Sequence, residues 1–68
     1  MSRYTKARKF VAKFIPEMQE NESYVDIANK LAKRDDVVID GLNLDNKLEA
    51  RAFILAFAHR HGMPYVEQ

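Results

Sequence analysis

The apolar positions change rhythm along the chain, and each stretch predicts an element. Tyr4, Ala7, Val11, Phe14, Ile15 and Met18 fall at steps of three and four, one stripe of a helix with basic residues on its other side. Pro16 disfavours helical geometry at Ile15, so this helix, near 3–19, either stops at Ile15 or kinks and runs on towards Glu20. Ser23, followed three residues later by Asp26, reads as a capping-box start for a second helix near 23–34. Its expected buried stripe is Tyr24, Ile27, Ala28 and Leu31. Asp26 and Lys30 stand in the favourable i, i+4 order, while Lys33 and Arg34 bring positive charge to the carbonyl end.

Val37, Val38 and Ile39 are β-branched and lie between Asp35-Asp36 and Asp40-Gly41, which predicts a short strand near 37–39 closed by a turn. Asn43 or Asp45 then caps the longest helix, near 45–61. The middle of that helix, 52–58, is apolar on every side, as expected of a helix at the centre of a fold or in an interface between chains. Gly62 supplies a left-handed cap and Pro64 prevents continuation; Tyr65 and Val66 add a second short strand near 65–67. The expected fold class is α+β, mainly α: about three helices with one or two short strands, in a single small domain, 1–68.

Composition sharpens this picture in three ways. A chain of 68 residues holds one core and buries a modest share of its surface, so a partner chain is one route to stability. Cysteine is absent, which excludes disulfides and thiolate metal cages and suits a reducing compartment. The longest apolar run, Ala52 to Ala58, is far below bilayer length, and the basic start of the chain has no apolar stretch behind it. No membrane span and no secretory leader are expected, and the location expected is cytoplasmic.

Net charge is only +1, but its distribution is uneven. Arg3, Lys6, Arg8, Lys9 and Lys13 precede Pro16 with no acidic residue among them, and Glu17, Glu20, Glu22 and Asp26 follow at once. Catalytic signatures are missing: there is no cysteine nucleophile, no glycine-rich phosphate loop, and Ser23 is accounted for as a helix cap. A non-enzyme without a cofactor is expected. Asp35, Asp36 and Asp40 flank a strand as solvated loop acids do, and no metal site is assigned to them. His59 and His61, two apart on a helix, point about 160° away from each other, so they do not share an ion. With Arg60 they suit the last helical turn, where exposed carbonyls attract cationic and hydrogen-bonding side chains.

From Leu44 to Met63 the chain resembles the signature helix of R3H domains, small modules associated with single-stranded nucleic acid. Arg51, Ala58, Gly62 and Met63 fall at the family's positions and Phe57 at its apolar position beside the alanine; the family histidine falls at Leu55, and Pro64 to Gln68 is too short for the family's full set of strands. The likeness implies a nucleic-acid contact at Arg51. A weaker likeness links Tyr24 to Leu31 with the first helix of helix-turn-helix proteins, but a charged, strand-like stretch follows instead of a recognition helix.

The function expected is a small non-catalytic module binding single-stranded DNA or RNA. Phosphates are assigned to Lys6, Lys9 and Lys13 of the first helix and to Arg51, Arg60, His59 and His61 of the last, with Tyr4 or Tyr65 stacking on bases. The alternative is a protein-interaction module, an adaptor or inhibitor of the kind compact phage or plasmid genes encode. It would use apolar surface of the last helix: Phe53, Ile54, Leu55, Phe57 and Met63. A homodimer is the commonest way to cover such a surface.

Overall fold

The computed structural model describes residues 3–34 and 43–63, in which three helices form the fold: α1 (Arg3–Val11), α2 (Tyr24–Arg34) and α3 (Lys47–Arg60). No strand occurs among the described residues; the strands expected near 37–39 and 65–67, and Asp35, Asp36 and Asp40, lie outside them. No described helix is long and apolar enough to cross a membrane.

The first helix is shorter than its apolar stripe predicts. Its regular ladder reaches one bond past the helix, from the Ala12 amide to the Arg8 carbonyl at 3.0 Å. The bonds then tighten to i+3 spacing, Lys13 to Phe10 at 3.1 Å and Phe14 to Val11 at 2.8 Å. One more i+4 bond joins the Ile15 amide to the Val11 carbonyl at 3.2 Å, and Pro16, which has no amide hydrogen and restricts Ile15, stops the helix from continuing. Tyr4, Ala7, Val11 and Ile15 are buried as the stripe requires, but this early end swings Phe14 outward, leaving it 38% exposed.

Residues 12–23 return along α2. Glu17 pairs with Arg34 at the far end of that helix, and Glu22 pairs with Lys30 at 2.7 Å. Lys30 thus takes Glu22 rather than Asp26, because Asp26 is engaged at the cap. Its amide donates to Ser23 Oγ at 3.2 Å, and the Ser23 hydroxyl donates to its carboxylate at 2.9 Å.

The third helix starts at Asn46 rather than Asn43 or Asp45. The Asn46 side-chain oxygen accepts from the amides of Leu48 at 2.9 Å and Glu49 at 3.3 Å. Asn43 instead forms a tight turn, accepting from the Asp45 amide at 3.0 Å, and the Glu49 carboxylate reaches back to the Asn43 amide. At the other end the Gly62 amide bonds the His59 carbonyl at 3.3 Å and the Met63 amide bonds the Ala58 carbonyl at 2.9 Å, a Schellman cap. Gly62 takes the left-handed φ of +108° that this cap needs.

α3 packs against both α1 and α2 and is the centre of the fold. Ala7, Ala28, Ala50 and Ala58 are fully buried, and these small residues let the helices approach while Ile27, Leu31, Phe53, Ile54 and Phe57 fill between them. The helix is not buried on every side, however. Ala52 and Ala56 are exposed, Leu55 is half-buried and Leu48 is 72% exposed. Phe53, Ile54, Phe57 and Met63, expected as partner-binding surface, close the core of the single chain instead.

Candidate nucleic-acid interface

The outward face of α1 carries lysine at helical steps. Lys6 and Lys9 are three apart, Lys9 and Lys13 four apart, and Phe10 lies between them, four after Lys6 and three before Lys13. These four residues and Met63, which follows α3, line one shallow open groove of about 400 Å³. All three lysines are exposed and Phe10 is half-buried. The Lys13 ammonium stands 5.5 Å from the centre of the Phe10 ring, a cation–π arrangement worth about 0.5–1 kcal/mol at an exposed site.

A run of aromatic rings continues this face towards the end of α3. Phe10 and Phe14 have ring centres 5.4 Å apart; Phe14 meets the buried Phe57 edge-on at 5.3 Å and the imidazole of His61 at 5.5 Å. His61 in turn lies against Phe57 at 4.2 Å. Phe14 is therefore an exposed ring held from behind by two neighbours. Nothing acidic interrupts the stretch from Arg3 to Phe14.

Arg51 sits in a different place, beside the first turns of α1 and α2. Its guanidinium carbon is 4.9 Å from the Tyr4 ring centre and 5.3 Å from that of Tyr24, while the two tyrosine rings meet edge to face at 4.4 Å. The Lys47 ammonium stands over Tyr24 at 5.3 Å. Tyr4 is 5% exposed, so it is a core residue rather than the base-stacking ring expected of it. Its hydroxyl is buried with no hydrogen-bond partner among the described residues. Burial pushes the Tyr4 phenol up to about 12, with Arg8 and Arg51 opposing the rise and Tyr24 adding to it.

The last turn of α3 separates its candidates. His61 belongs to the Phe14 cluster, whereas His59 lines a groove with Arg3, Ala52, Leu55 and Ala56; Arg60 is exposed between them. The divergence follows from the two-residue spacing. Among the described residues no three His, Cys, Asp or Glu side chains gather where they could hold a metal ion.

Of the residues singled out in the sequence, Lys6, Lys9 and Lys13 share one groove and His61 joins them through Phe14, while Arg51 and His59 lie apart. Sequence reasoning missed Phe10 and Phe14 as aromatic members of the lysine face. Phe10 was legible, since it is off the buried stripe and at helical spacing from two lysines; Phe14 was hidden by the assumption of a longer helix. Comparison with known proteins returns no matching family model, no matching curated protein and no matching solved structure. The likeness to R3H domains accordingly rests on a few residues of α3. Each has a local role here: Arg51 on the tyrosines, Ala58 in the core, Gly62 and Met63 in the helix cap.

Proposed function

We propose that this chain is a non-catalytic cytoplasmic module that binds single-stranded nucleic acid along the outer face of α1. Lys6, Lys9 and Lys13 neutralise phosphates, and Phe10 and Phe14 offer ring faces and edges to bases. The observation that carries this reading is the lining of one groove by all three lysines and Phe10, continued by the exposed ring of Phe14. Single-strand binders combine these two ingredients because every base has a π face and every nucleotide a phosphate. His61, and with it the last turn of α3, borders the same surface. Arg51 acts mainly as a clamp on Tyr4 and Tyr24, which makes it a support of the fold before a phosphate ligand.

The test is a fluorescence-anisotropy titration with a labelled single strand at several salt concentrations. Three engaged lysines give a slope of log K against log salt of about −2, and replacing all three by glutamine abolishes most of the binding. Absence of binding at low salt, up to tens of micromolar protein, would sink the proposal.

A second reading is favoured by one observation on the opposite kind of surface. Leu48 is 72% exposed, and Ala52, Leu55 and Ala56 continue from it along α3 into a shallow groove edged by Arg3 and His59. In this alternative that face docks a partner protein. Absence of strand binding at low salt, together with a Leu48→Glu variant that loses a protein partner bound by wild type, would favour it.

A further inference from the structure

The lysine groove is not isolated. It shares Lys9 with a second groove that passes over α1 at Thr5, Arg8 and Ala12. That groove shares Arg8 and Glu20 with a third, which ends at Tyr24 and Lys47. The three depressions are neighbours around α1, with Lys9 at the boundary of the first two and Arg8 and Glu20 at the boundary of the second and third, and cations line all of them: Lys13, Lys6, Lys9, Arg8 and Lys47. The far end is well organised. The Arg8 guanidinium donates to the Glu20 carbonyl at 2.9 Å, which fixes its position at the junction of two grooves. Lys47, the first residue of α3, is held over the Tyr24 ring, and the amino end of that helix adds positive potential.

Two carboxylates border the same path. Glu22 is already engaged: it pairs with Lys30 at 2.7 Å and accepts from the Gln19 amide at 2.6 Å. Glu20 is exposed and lines both the second and the third groove. A polyanion on this path would keep to the α1 side, away from Glu20.

We propose that a single strand bound at the lysine face crosses α1 and makes a second phosphate contact at Arg8 and Lys47, beside Tyr24. This rests on the single-strand reading above and extends it to the path of the strand. On a molecule of 25 × 25 × 20 Å the path accommodates about 4–8 nucleotides, the lower part of the range for small single-strand modules. Glu20 acts on it as a repulsive boundary.

The experiment is an anisotropy titration with a labelled twelve-nucleotide oligothymidylate across a salt series, using wild type, Lys47→Gln, Arg8→Gln, Glu20→Gln and Lys9→Gln. Removing Lys47 or Arg8 is expected to reduce the steepness of the salt dependence by about 0.7 each, as Lys9→Gln does, and to weaken binding at low salt. Glu20→Gln is expected to tighten it. Arg8 also supports the turn at Glu20, so Lys47→Gln, at an exposed position, is the decisive variant, with its melting temperature as a check on folding. A wild-type slope and affinity in Lys47→Gln, alongside a loss in Lys9→Gln, would overturn the path while leaving the lysine face standing. No binding by wild type overturns both.

Discussion

Tyr4 shows how a single residue is used for packing at some cost to its polar end. Its ring is closed in by Tyr24 and capped by Arg51, yet its hydroxyl is buried without a partner among the described residues. Such a group carries a desolvation penalty of about 1–3 kcal/mol. Tyr4→Phe keeps the ring and its cation contact while removing the penalty, so the urea midpoint is expected to rise, by an amount equivalent to about 1 kcal/mol. The same residue sets an alkaline limit. Its folded-state pKa, about 12, lies above its ordinary value of 10.0, so the stability from neutral, buried Tyr4 is fully present below pH 10 and is lost as the pH climbs towards 12. Denaturation midpoints between these values should fall in wild type and fall less in Tyr4→Phe; parallel curves would show that Tyr4 does not titrate with unfolding. Core residues divide equally clearly. Ile54 is fully buried and Leu55 half-buried, one residue apart on α3. Ile54→Ala is expected to cost about 2–5 kcal/mol and Leu55→Ala distinctly less, measured by chemical denaturation.

Among the elements, the ends of the helices carry most of the local instruction. Asn46→Ala removes the acceptor for two amides at the start of α3 and is expected to cost about 1 kcal/mol in thermal or urea unfolding. The return segment between α1 and α2 depends on two surface carboxylates. Glu17 is held below the usual carboxylate range by its own backbone amide and by Arg34, and Glu22 by Lys30 and the Gln19 amide. Groups with lowered pKa values stabilise the fold above their ordinary pKa and lose that contribution as the pH falls through the lowered one. Stability should therefore decline as the pH drops below about 4.5, and Glu22→Gln should show a shallower decline over that acid range. An equal slope in the variant would mean that the ion pair with Lys30 adds nothing.

The three helices were legible in the sequence because their apolar periods and cap residues agree. Ser23 and Gly62 do the jobs that their types imply, and Ile27, Ala28 and Leu31 face inward. The start of α3 was less legible because Asn43, Asp45 and Asn46 are all capable caps and only the direction of the chain selects among them. The length of α1 misled for a different reason. The apolar stripe from Tyr4 to Met18 continues past Pro16, but after the tightened turns beyond Val11 only Ile15 is fully buried, while Met18 packs against the core partly buried. That shortening is also what exposed Phe14, so this half of the aromatic pair could not be seen without the fold, although Phe10 could. Arg51 was visible as a cation but not as a clamp, since Tyr4 and Tyr24 lie far from it in sequence and meet it only through packing.

Over the molecule as a whole, the described helices close one core and leave two unlike surfaces. The face of α1 is basic and aromatic; the face of α3 from Leu48 to Ala56 is small and apolar. Among the described residues the apolar face of α3 offers one large exposed side chain, well short of the broad patches that hold stable dimers together. Sedimentation at micromolar concentration is therefore expected to give a single species near 7.9 kDa, with a melting temperature independent of protein concentration. A species of twice that mass, with melting that rises with concentration, would assign the α3 face to self-association.

On the proposed function a nucleic-acid strand lies on α1. The most direct measurement is a backbone-amide NMR titration of the labelled protein with a short single strand at low salt. Shifts are expected at Lys6, Lys9, Phe10, Lys13 and Phe14, with Ala52, Leu55 and Ala56 unmoved. Shifts centred on the α3 face, or none at saturating strand concentration, would contradict it.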